Sequence, residues 1–266
     1  MKIRMKYLLS VFLRIPASLF RARCRFVRIS PNRTGKIYFY DKKNRRIFHV
    51  MARDAVDSNT ADQIYKNHDY DLTFLLRYDE LQEKYDKIVK DGHVPLIVDC
   101  GANIGLAARY FAEEFARARV VAIEPSKANC TMIRRNCGHL ENVEVCEAAI
   151  GSEAGFVEID DCEADANSFR TVRTEGQYGI GVITFNDILS GRANHEPLIA
   201  KIDIEGFEDD LFSSSTEWVS KFPLIIVETH DWMIPGRATS RNFLRVIAEH
   251  KRDFVHRGEN VFSIAN

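Results

Sequence analysis

The segment Leu-Ile-Val-Asp-Cys-Gly-Ala-Asn-Ile-Gly at residues 96–105 constrains the fold of this chain more than any other. A short apolar run ends in Asp99 and leads into a turn that contains Gly101, Asn103 and Gly105, after which an amphipathic helix is predicted. A strand, a tight glycine turn and a helix make up the first unit of a nucleotide-binding α/β domain. The segment therefore predicts a ligand site where this strand ends.

The residue types of the turn indicate which ligand fits. Dinucleotide-binding turns have the pattern G-x-G-x-x-G, which lets the backbone approach a pyrophosphate. This chain has D-x-G-x-N-x-G, so a carboxylate, Asp99, ends the strand and the third glycine is absent. A carboxylate repels phosphate and suits a ligand with a cationic amino-acid end. S-adenosylmethionine (SAM) carries an ammonium and a sulfonium, so the turn favours a methyltransferase over a nicotinamide oxidoreductase.

A second strand-end acid, Glu124, follows the apolar run 120–123. A carboxylate at the tip of the second strand can accept hydrogen bonds from both ribose hydroxyls of an adenosyl group. The alternative is that Glu124 only caps the helix after Pro125. Because the two motifs occur in order at the spacing of one βαβ half-unit, we favour the cofactor interpretation. The predicted cofactor-binding residues are Asp99, Gly101, Ala102, Asn103, Gly105, Glu124, Pro125 and Ala149.

From residue 94 onward, predicted strands alternate with predicted helices, which indicates an α/β fold with a mostly parallel sheet and helices on both faces. The strands are predicted at 95–99, 119–123, 142–149, 198–203 and 223–228, and the helices near 104–116, 126–138, 206–219 and 240–250. Residues 59–90 have helical spacing. The pattern at 253–256 and 260–264 predicts a terminal hairpin.

The first 49 residues differ in charge from the rest of the chain. They contain 14 Lys and Arg against one acid, Asp41, whereas the remainder has 23 basic and 37 acidic residues. A basic arm is typical of contact with an anionic membrane surface or nucleic acid, and a solvated tail explains it equally well. Residues 36–40 and 46–50 alternate around a polar turn, which predicts a β-hairpin. We therefore divide the chain into a basic N-terminal arm, 1–58, and a methyltransferase domain, 59–266.

The predicted location rests on an apolar stretch and on the cysteines. Residues 7–20 are too short and too interrupted, by Arg14 and Pro16, to span a bilayer. They resemble a signal peptide, but Arg14 breaks the apolar region and Arg21, Arg23 and Arg25 follow at once. An interfacial segment and a docking helix are the two alternatives for this stretch. The six cysteines show no metal-binding spacing, which indicates a reducing compartment. The sequence predicts a cytoplasmic protein, with peripheral contact to an anionic membrane through residues 1–49 as an open alternative.

The chemistry is expected at the next two strand ends. Asp203 ends an apolar strand and Glu205 follows it, while Glu228 and His230 alternate at the end of the fifth strand and should face the same side. A positioned histidine or carboxylate can take the proton of a hydroxyl nucleophile. Alternatively, Asp203, Glu228 and His230 hold a divalent cation that acidifies the hydroxyl. A third alternative is a purely structural His230.

Candidates for contact with the acceptor lie around these strand ends. The polar stretch 161–181, which includes Ser168, is either a substrate-covering loop or an ordinary surface insertion. Trp232 and Arg237 follow the fifth strand and are candidates to stack on or bind a substrate, and Glu205 is a further candidate.

Four motifs, in order, resemble the FkbM family of SAM-dependent methyltransferases. They are Asp99-x-Gly-Ala-Asn-x-Gly105, Glu124-Pro125, Lys201-x-Asp-x-Glu-Gly-x-Glu208 and Glu228-x-His230. The resemblance runs from about residue 60 to the C-terminus, and the arm 1–58 lies outside it. It implies a class I methyltransferase fold whose last strand is antiparallel, and O-methylation of sugar or natural-product hydroxyls. It also implies that Asp99, Gly101, Asn103 and Glu124 bind the cofactor, and that Asp203, Glu228 and His230 line the reaction site.

Two other classes of protein compete with this interpretation. A non-catalytic adaptor at a membrane surface would explain the basic arm and leave the strand-end residues without a role. A nucleic-acid methyltransferase would use the arm as a phosphate clamp. The acidic body of the chain and the lack of an N/D-P-P-Y-type motif disfavour nucleic acid. The acceptor stays open among sugar, glycan, lipid and natural-product hydroxyls.

Overall fold

The computed structural model describes residues 24–160, 170–174, 178–233 and 235–266. Ser168 and most of the polar stretch 161–181 lie outside these residues, as do the first 23 residues of the basic arm. Two compact units divide between Asp71 and Leu72. Within the described ranges, no helix combines the length and the apolar character needed to cross a bilayer.

The first unit contains a three-stranded antiparallel sheet and one helix. Its strands are β1 (Phe26–Arg28), β2 (Gly35–Asp41) and β3 (Arg46–Ala52), and its helix is α1 (Ala55–Tyr65). Strands β2 and β3 form a hairpin with an unbroken register from Gly35 opposite Ala52 to Asp41 opposite Arg46. The alternation along both strands places one face in the core, as expected of a half-buried hairpin.

Helix α1 packs on the buried face of this sheet. The Asp54 side chain caps the helix by accepting hydrogen bonds from two backbone N–H groups in its first turn. At the other end, the ring of Tyr65 lies 5.1 Å, centroid to centroid, from each of the rings of Phe26, Phe39 and Phe48. Helix α1 therefore shares its core with the hairpin. The predicted division at residue 58 stays a prediction.

The second unit holds the remaining elements. The strands of its large sheet are β4 (Val94–Cys100), β5 (Arg119–Glu124), β6 (Val143–Glu147), β11 (His195–Ile202), β12 (Leu224–Glu228), β13 (Asp253–Arg257) and β14 (Asn260–Ile264). The smaller sheet contains β7 (Ala149–Ile150), β8 (Gly155–Asp160), β9 (Arg170–Arg173) and β10 (Ile180–Ile183). The helices are α2 (Tyr78–Lys90), α3 (Leu106–Glu114), α4 (Lys127–Cys137), α5 (Phe185–Leu189), α6 (Glu208–Leu211) and α7 (Arg241–Glu249), with 3-10 turns at Leu72–Phe74 and Thr216–Lys221.

The large sheet confirms the predicted fold class. Its strand order is β13-β14-β12-β11-β4-β5-β6, and the five strands from β12 to β6 are parallel. Strand β14 runs antiparallel to β12 and forms the predicted terminal hairpin with β13. This is the α/β arrangement of a class I methyltransferase. Because these five strands are parallel, their carboxyl ends form one edge of the sheet, where ligands of such folds bind.

Two predicted elements differ from the structure. The strand predicted at 142–149 ends at Glu147, and Ala149–Ile150 pairs with β10 in the smaller sheet instead. The helix predicted at 206–219 is wrong, because α6 spans only Glu208–Leu211 and is followed by a 3-10 turn. A run of three serines follows α6, and the Ser213 hydroxyl donates to the Asp210 carbonyl at 2.7 Å. Serine side chains offer the backbone such local alternatives to helix continuation.

Candidate functional site

The glycine turn, Gly101–Gly105, contacts two strand ends through its backbone. Gly101 has φ +73°, and a Cβ atom there would lie 1.7 Å from the carbonyl oxygen of Asp203. The N–H groups of Gly101 and Ala102 both donate to the Ile123 carbonyl, at 3.0 and 2.9 Å. Only glycine fits at position 101, since it alone combines a left-handed backbone with no side chain. The turn is thereby held between the ends of β5 and β11.

Glu124 joins the turn to the start of helix α4. Its carboxylate accepts hydrogen bonds from Asn103 N at 2.8 Å, from Ser126 N at 2.9 Å and from Asn129 Nδ2 at 3.2 Å. The side chain is nearly buried, and burial raises the pKa of Glu124, while the two backbone N–H groups oppose this rise. A carboxylate has about four acceptor sites, so these three donors leave room for a ligand hydroxyl.

A cavity opens between the glycine turn and the ends of β5 and β11. We call it the cofactor cavity; it is lined by Gly101, Asn103, Ile123, Glu124, Pro125, Asn129, Ala148, Ala149, Ile150, Asp203, Ile204, Glu205 and Phe207. Five residues of the predicted cofactor set line it, namely Gly101, Asn103, Glu124, Pro125 and Ala149. Ala102, Gly105 and Asp99 are not among the lining residues.

Gly105 lies at the junction of two helices. It precedes helix α3 with φ +83°, and a Cβ there would lie 2.9 Å from the Ile133 side chain. Gly105 therefore allows helix α3 to begin close to helix α4.

Asn129 is a cavity residue that sequence reasoning missed. It lies in the first turn of α4, and its Oδ1 is buried with no hydrogen-bond partner among the described residues. Its Nδ2 donates to Glu124, so the free oxygen is an acceptor held in place beside the carboxylate. The available sequence signal was its place in the first turn of the helix that follows the strand-end acid Glu124.

Asp99 faces a lysine inside the sheet. Its side chain is fully buried, and Lys201 Nζ lies 3.1 Å from Asp99 Oδ1. The same ammonium donates to the Gly101 carbonyl at 2.9 Å and lies 3.3 Å from Asp203 Oδ2. Burial raises the pKa of Asp99, and the Lys201 charge opposes this rise. Sequence reasoning gave Lys201 no role, although a lysine in an apolar strand needs a buried partner.

The strand-end acids surround one imidazole. We call Asp203, Glu205, Glu208, Glu228 and His230 the His230 cluster. His230 Nδ1 lies 2.9 Å from Glu208 Oε1. On the other side of the ring, Nε2 lies 3.4 Å from Glu205 Oε2, 3.6 Å from Asp203 Oδ1 and 3.7 Å from Glu228 Oε1. The ring is 1% exposed, so these carboxylates form its polar surroundings.

Burial and the charges of the His230 cluster shift the pKa values of three of its members. Burial raises the pKa values of Glu205 and Glu228 to about 7 and about 8, and the neighbouring Asp203 charge adds to both shifts. Burial by itself lowers the pKa of His230, but the hydrogen bond and charge of Glu208, together with the Asp203 and Glu205 charges, raise it to about 9. Glu205, Glu228 and His230 therefore each hold a proton more tightly than the same group does in water. One ligand atom each of Asp203, Glu228 and His230 lie within 4.8 Å of one another, a spacing compatible with a divalent cation.

The predicted acceptor contacts are only partly described. Glu205 belongs both to the His230 cluster and to the lining of the cofactor cavity. Trp232 is 65% exposed and Arg237 is also exposed, and within the described part of the chain neither has a hydrogen bond or ion pair with the cluster. Ser168 lies outside the described residues.

Comparison with known proteins assigns this chain to a family. The profile of the methyltransferase FkbM domain matches residues 99–255, which is more than half of the chain. The chain belongs to the FkbM methyltransferase family. The matched region of this methyltransferase contains the glycine turn, Glu124 and the whole His230 cluster.

Two curated relatives of this FkbM methyltransferase are distant. The hexuronic acid methyltransferase AglP of Haloferax volcanii is 25% identical over 142 residues, which cover 53% of this chain and 58% of AglP. The 2-O-methyltransferase NoeI of Sinorhizobium fredii is 23% identical over 155 residues, which cover 52% of this chain and 64% of NoeI. The matches thus span less than two thirds of either relative.

Likeness to solved structures is weaker still. Monomeric WbdD aligns with 71% of this chain and 41% of its own at 12% identity and a TM-score of 0.40, a likeness too distant to bear on function.

Proposed function

We propose that this FkbM methyltransferase transfers the methyl group of SAM to a hydroxyl group of a sugar or glycan. The observation that carries the proposal is the position of Asp203 and Glu205. Both residues line the cofactor cavity, and both face Nε2 of His230. A methyl donor in that cavity and a base for the acceptor would therefore be neighbours.

The lining of the cofactor cavity supports SAM as the donor. Gly101 lines the cavity, and Glu124 retains about one acceptor site for a ribose hydroxyl. Asn129 Oδ1 is an unused acceptor for an amino group such as that of adenine. Asp203 and Glu205 place negative charge on the opposite wall, which suits the cationic amino-acid end of SAM.

His230 would act as the general base. When bound, SAM supplies an electrophilic methyl group whose transfer to oxygen leaves a neutral thioether. Because the pKa of His230 is raised to about 9, its neutral form is populated toward alkaline pH. There, as the acceptor oxygen bonds to the methyl carbon, neutral His230 would accept the hydroxyl proton at Nε2. Asp203 and Glu228 lie within 3.7 Å of Nε2 and would stabilise the resulting imidazolium. Alignment of the reactants can supply roughly 7–11 kcal/mol of the barrier reduction, and the base a factor of about 10²–10⁴.

The two relatives support a sugar acceptor. AglP is named for a hexuronic acid and NoeI for 2-O-methylation. Trp232, Arg237, Glu205 and Ser168 remain our candidates for contact with the acceptor. A lipid or natural-product hydroxyl, and contact of residues 1–49 with an anionic membrane, remain predictions from the sequence.

A divalent cation at Asp203, Glu228 and His230 is the second candidate for activation of the hydroxyl, and the spacing of their ligand atoms favours it. The two routes differ in one measurable respect. A base route keeps its turnover after treatment with a chelator, whereas a metal route loses turnover and regains it with added Mg²⁺ or Mn²⁺.

The first experiment is calorimetric titration with S-adenosylhomocysteine, with NADH as the control ligand. We expect the full chain to bind the first ligand and not the second. Glu124→Ala should weaken this binding by about 10–100-fold, because it removes the ribose acceptor. Absence of binding by well-folded protein would overturn the assignment of the donor.

The second experiment measures turnover with a panel of sugar acceptors. His230→Ala should lower kcat by about 10²–10⁴-fold and leave the affinity for S-adenosylhomocysteine nearly unchanged. Asp209→Asn is the matched control, since Asp209 is an exposed acid one residue beyond the cluster member Glu208. Full turnover by His230→Ala would exclude His230 from both routes.

A further inference from the structure

Glu208 is the one member of the His230 cluster that contacts the other side of the imidazole. Asp203, Glu205 and Glu228 lie near Nε2, whereas Glu208 Oε1 lies 2.9 Å from Nδ1. Glu208 is only 1% exposed and does not line the cofactor cavity. It can therefore influence the reaction site through its contact with His230.

The Glu208 carboxylate also contacts the loop that carries two cluster acids. Oε1 accepts a hydrogen bond from the backbone N–H of Ile204 at 3.3 Å, and Ile204 lies between Asp203 and Glu205. One oxygen atom thus joins the loop after β11 to the imidazole that follows β12. This joint contact fixes the ring relative to the acids on its far side.

A role in helix capping does not explain the burial of Glu208. Asp209 and Asp210, which follow it in the four-residue helix α6, turn away from the imidazole. Asp209 accepts from Asn242, and Asp210 pairs with Arg173. A buried carboxylate is costly unless it is paired, and the ionisable partner that the described residues give Glu208 is His230.

We propose that Glu208 is a positioning residue for methyl transfer, which holds the Nδ1 side of His230 so that Nε2 faces the reaction site. The two imidazole nitrogens differ in role, and the hydrogen bond made by one decides which of them is presented. The proposal rests on the proposed role of His230, but it does not depend on whether Nε2 takes a proton or binds a cation.

A double-mutant cycle tests this proposal. It compares the native chain with Glu208→Ala, His230→Ala and the combined variant, all as full chains. Turnover is measured with the best acceptor of the panel, and the affinity for S-adenosylhomocysteine reports an intact fold. Asp209→Asn serves again as the neighbouring control. Glu208→Gln keeps an oxygen that can accept from Nδ1–H, so it separates loss of the contact from loss of the charge.

We expect Glu208→Ala to lower kcat about 10–100-fold with little change in cofactor affinity, which is the usual cost of removing a group that orients a functional histidine. Glu208→Gln should recover part of this loss. In the His230→Ala background, Glu208→Ala should change kcat less than about twofold, because its target is already absent.

Two results would overturn the proposal, and they differ. An equal loss of kcat from Glu208→Ala in both backgrounds would show that Glu208 acts independently of His230, while methyl transfer through His230 still stands. Full turnover by His230→Ala would remove the proposed function of His230 together with this inference. Should Glu208→Ala fail to bind S-adenosylhomocysteine, the same cycle with Glu208→Gln gives the same decision.

Discussion

The two ends of the cofactor cavity satisfy their carboxylates in opposite ways. At the Glu124 end, the acid accepts from two backbone N–H groups and one amide, all from residues near the glycine turn. At the His230 end, three acids face one imidazole nitrogen at 3.4–3.7 Å, and burial, followed by the Asp203 charge, raises the pKa of Glu205 and Glu228. Hydrogen bonds from local N–H groups favour ionisation of a carboxyl group, whereas the charges of neighbouring acids oppose its ionisation.

Under the proposed function, this difference would separate binding of the cofactor from activation of the acceptor. An acid that three hydrogen bonds hold in place, as at Glu124, is a rigid acceptor for a ligand hydroxyl. A crowded group of acids around an imidazole has excess negative charge, which a proton or cation arriving during the reaction would relieve. Lys201 lies between the two ends, since it contacts Asp99 and Gly101 on one side and Asp203 on the other.

The largest expected effect on stability comes from removing the Lys201 ammonium. Lys201→Met leaves Asp99 buried without its cation, so we expect a loss of roughly 3–5 kcal/mol in the free energy of unfolding. Urea denaturation measures it. Adding Asp99→Asn to the Lys201→Met variant should restore part of the stability, because it removes the unpaired buried carboxylate. Unchanged stability of the single variant would show that the ion pair does not join the two ends.

A smaller effect is expected from a methyl group in the glycine turn. Gly101→Ala places Cβ against the Asp203 carbonyl, so the turn and the end of β11 must separate. We expect a loss of about 2–4 kcal/mol in stability and no measurable binding of S-adenosylhomocysteine.

Gly92→Ala is the matched control for this variant. Gly92 also has a positive φ, +84°, but a Cβ there meets nothing within 4 Å. It should therefore cost only about 1 kcal/mol and leave ligand binding intact. Similar behaviour of the two variants would mean that backbone strain, rather than the contact with Asp203, limits position 101.

The smallest expected effect is the dependence of stability on pH. Between its unfolded pKa of 6.5 and its folded pKa of about 9, His230 binds more proton in the folded chain, so its stabilisation is present below 6.5 and is lost toward 9. Glu205 and Glu228, also raised, act in the same direction from 4.5 up to about 7 and about 8. Stability should therefore fall by about 1–3 kcal/mol from roughly pH 6 to pH 9.

Urea midpoints at several pH values measure this slope. His230→Gln removes the histidine contribution, and Glu124→Gln is the comparison at the other end of the cavity. We expect the first substitution to flatten the dependence above roughly pH 6.5 and the second to leave that part unchanged. A stability that rises over this range in the native chain would contradict the charge arrangement of the His230 cluster.

The sequence was most informative where short-range patterns carry the signal. Alternation along residues 36–50 gave the hairpin of the first unit, and apolar runs ending in acids located β4, β5, β11 and β12. It was least informative at 206–219, where one helix was predicted and the structure has one short helix and a 3-10 turn. Periodicity does not register local hydrogen bonding by a run of serines.

What the sequence determined by itself is the α/β class, the strand-end position of the functional acids and the membership in the FkbM family. Only the tertiary structure decided which charged partner each of those acids contacts. Among three consecutive acids, Glu208, Asp209 and Asp210, it selected Glu208 for the imidazole, and it placed Lys201 against Asp99. The reason is physical: parallel pairing of β11 with β12 and β4 brings together residues far apart in the chain, and a local pattern contains no information about that register.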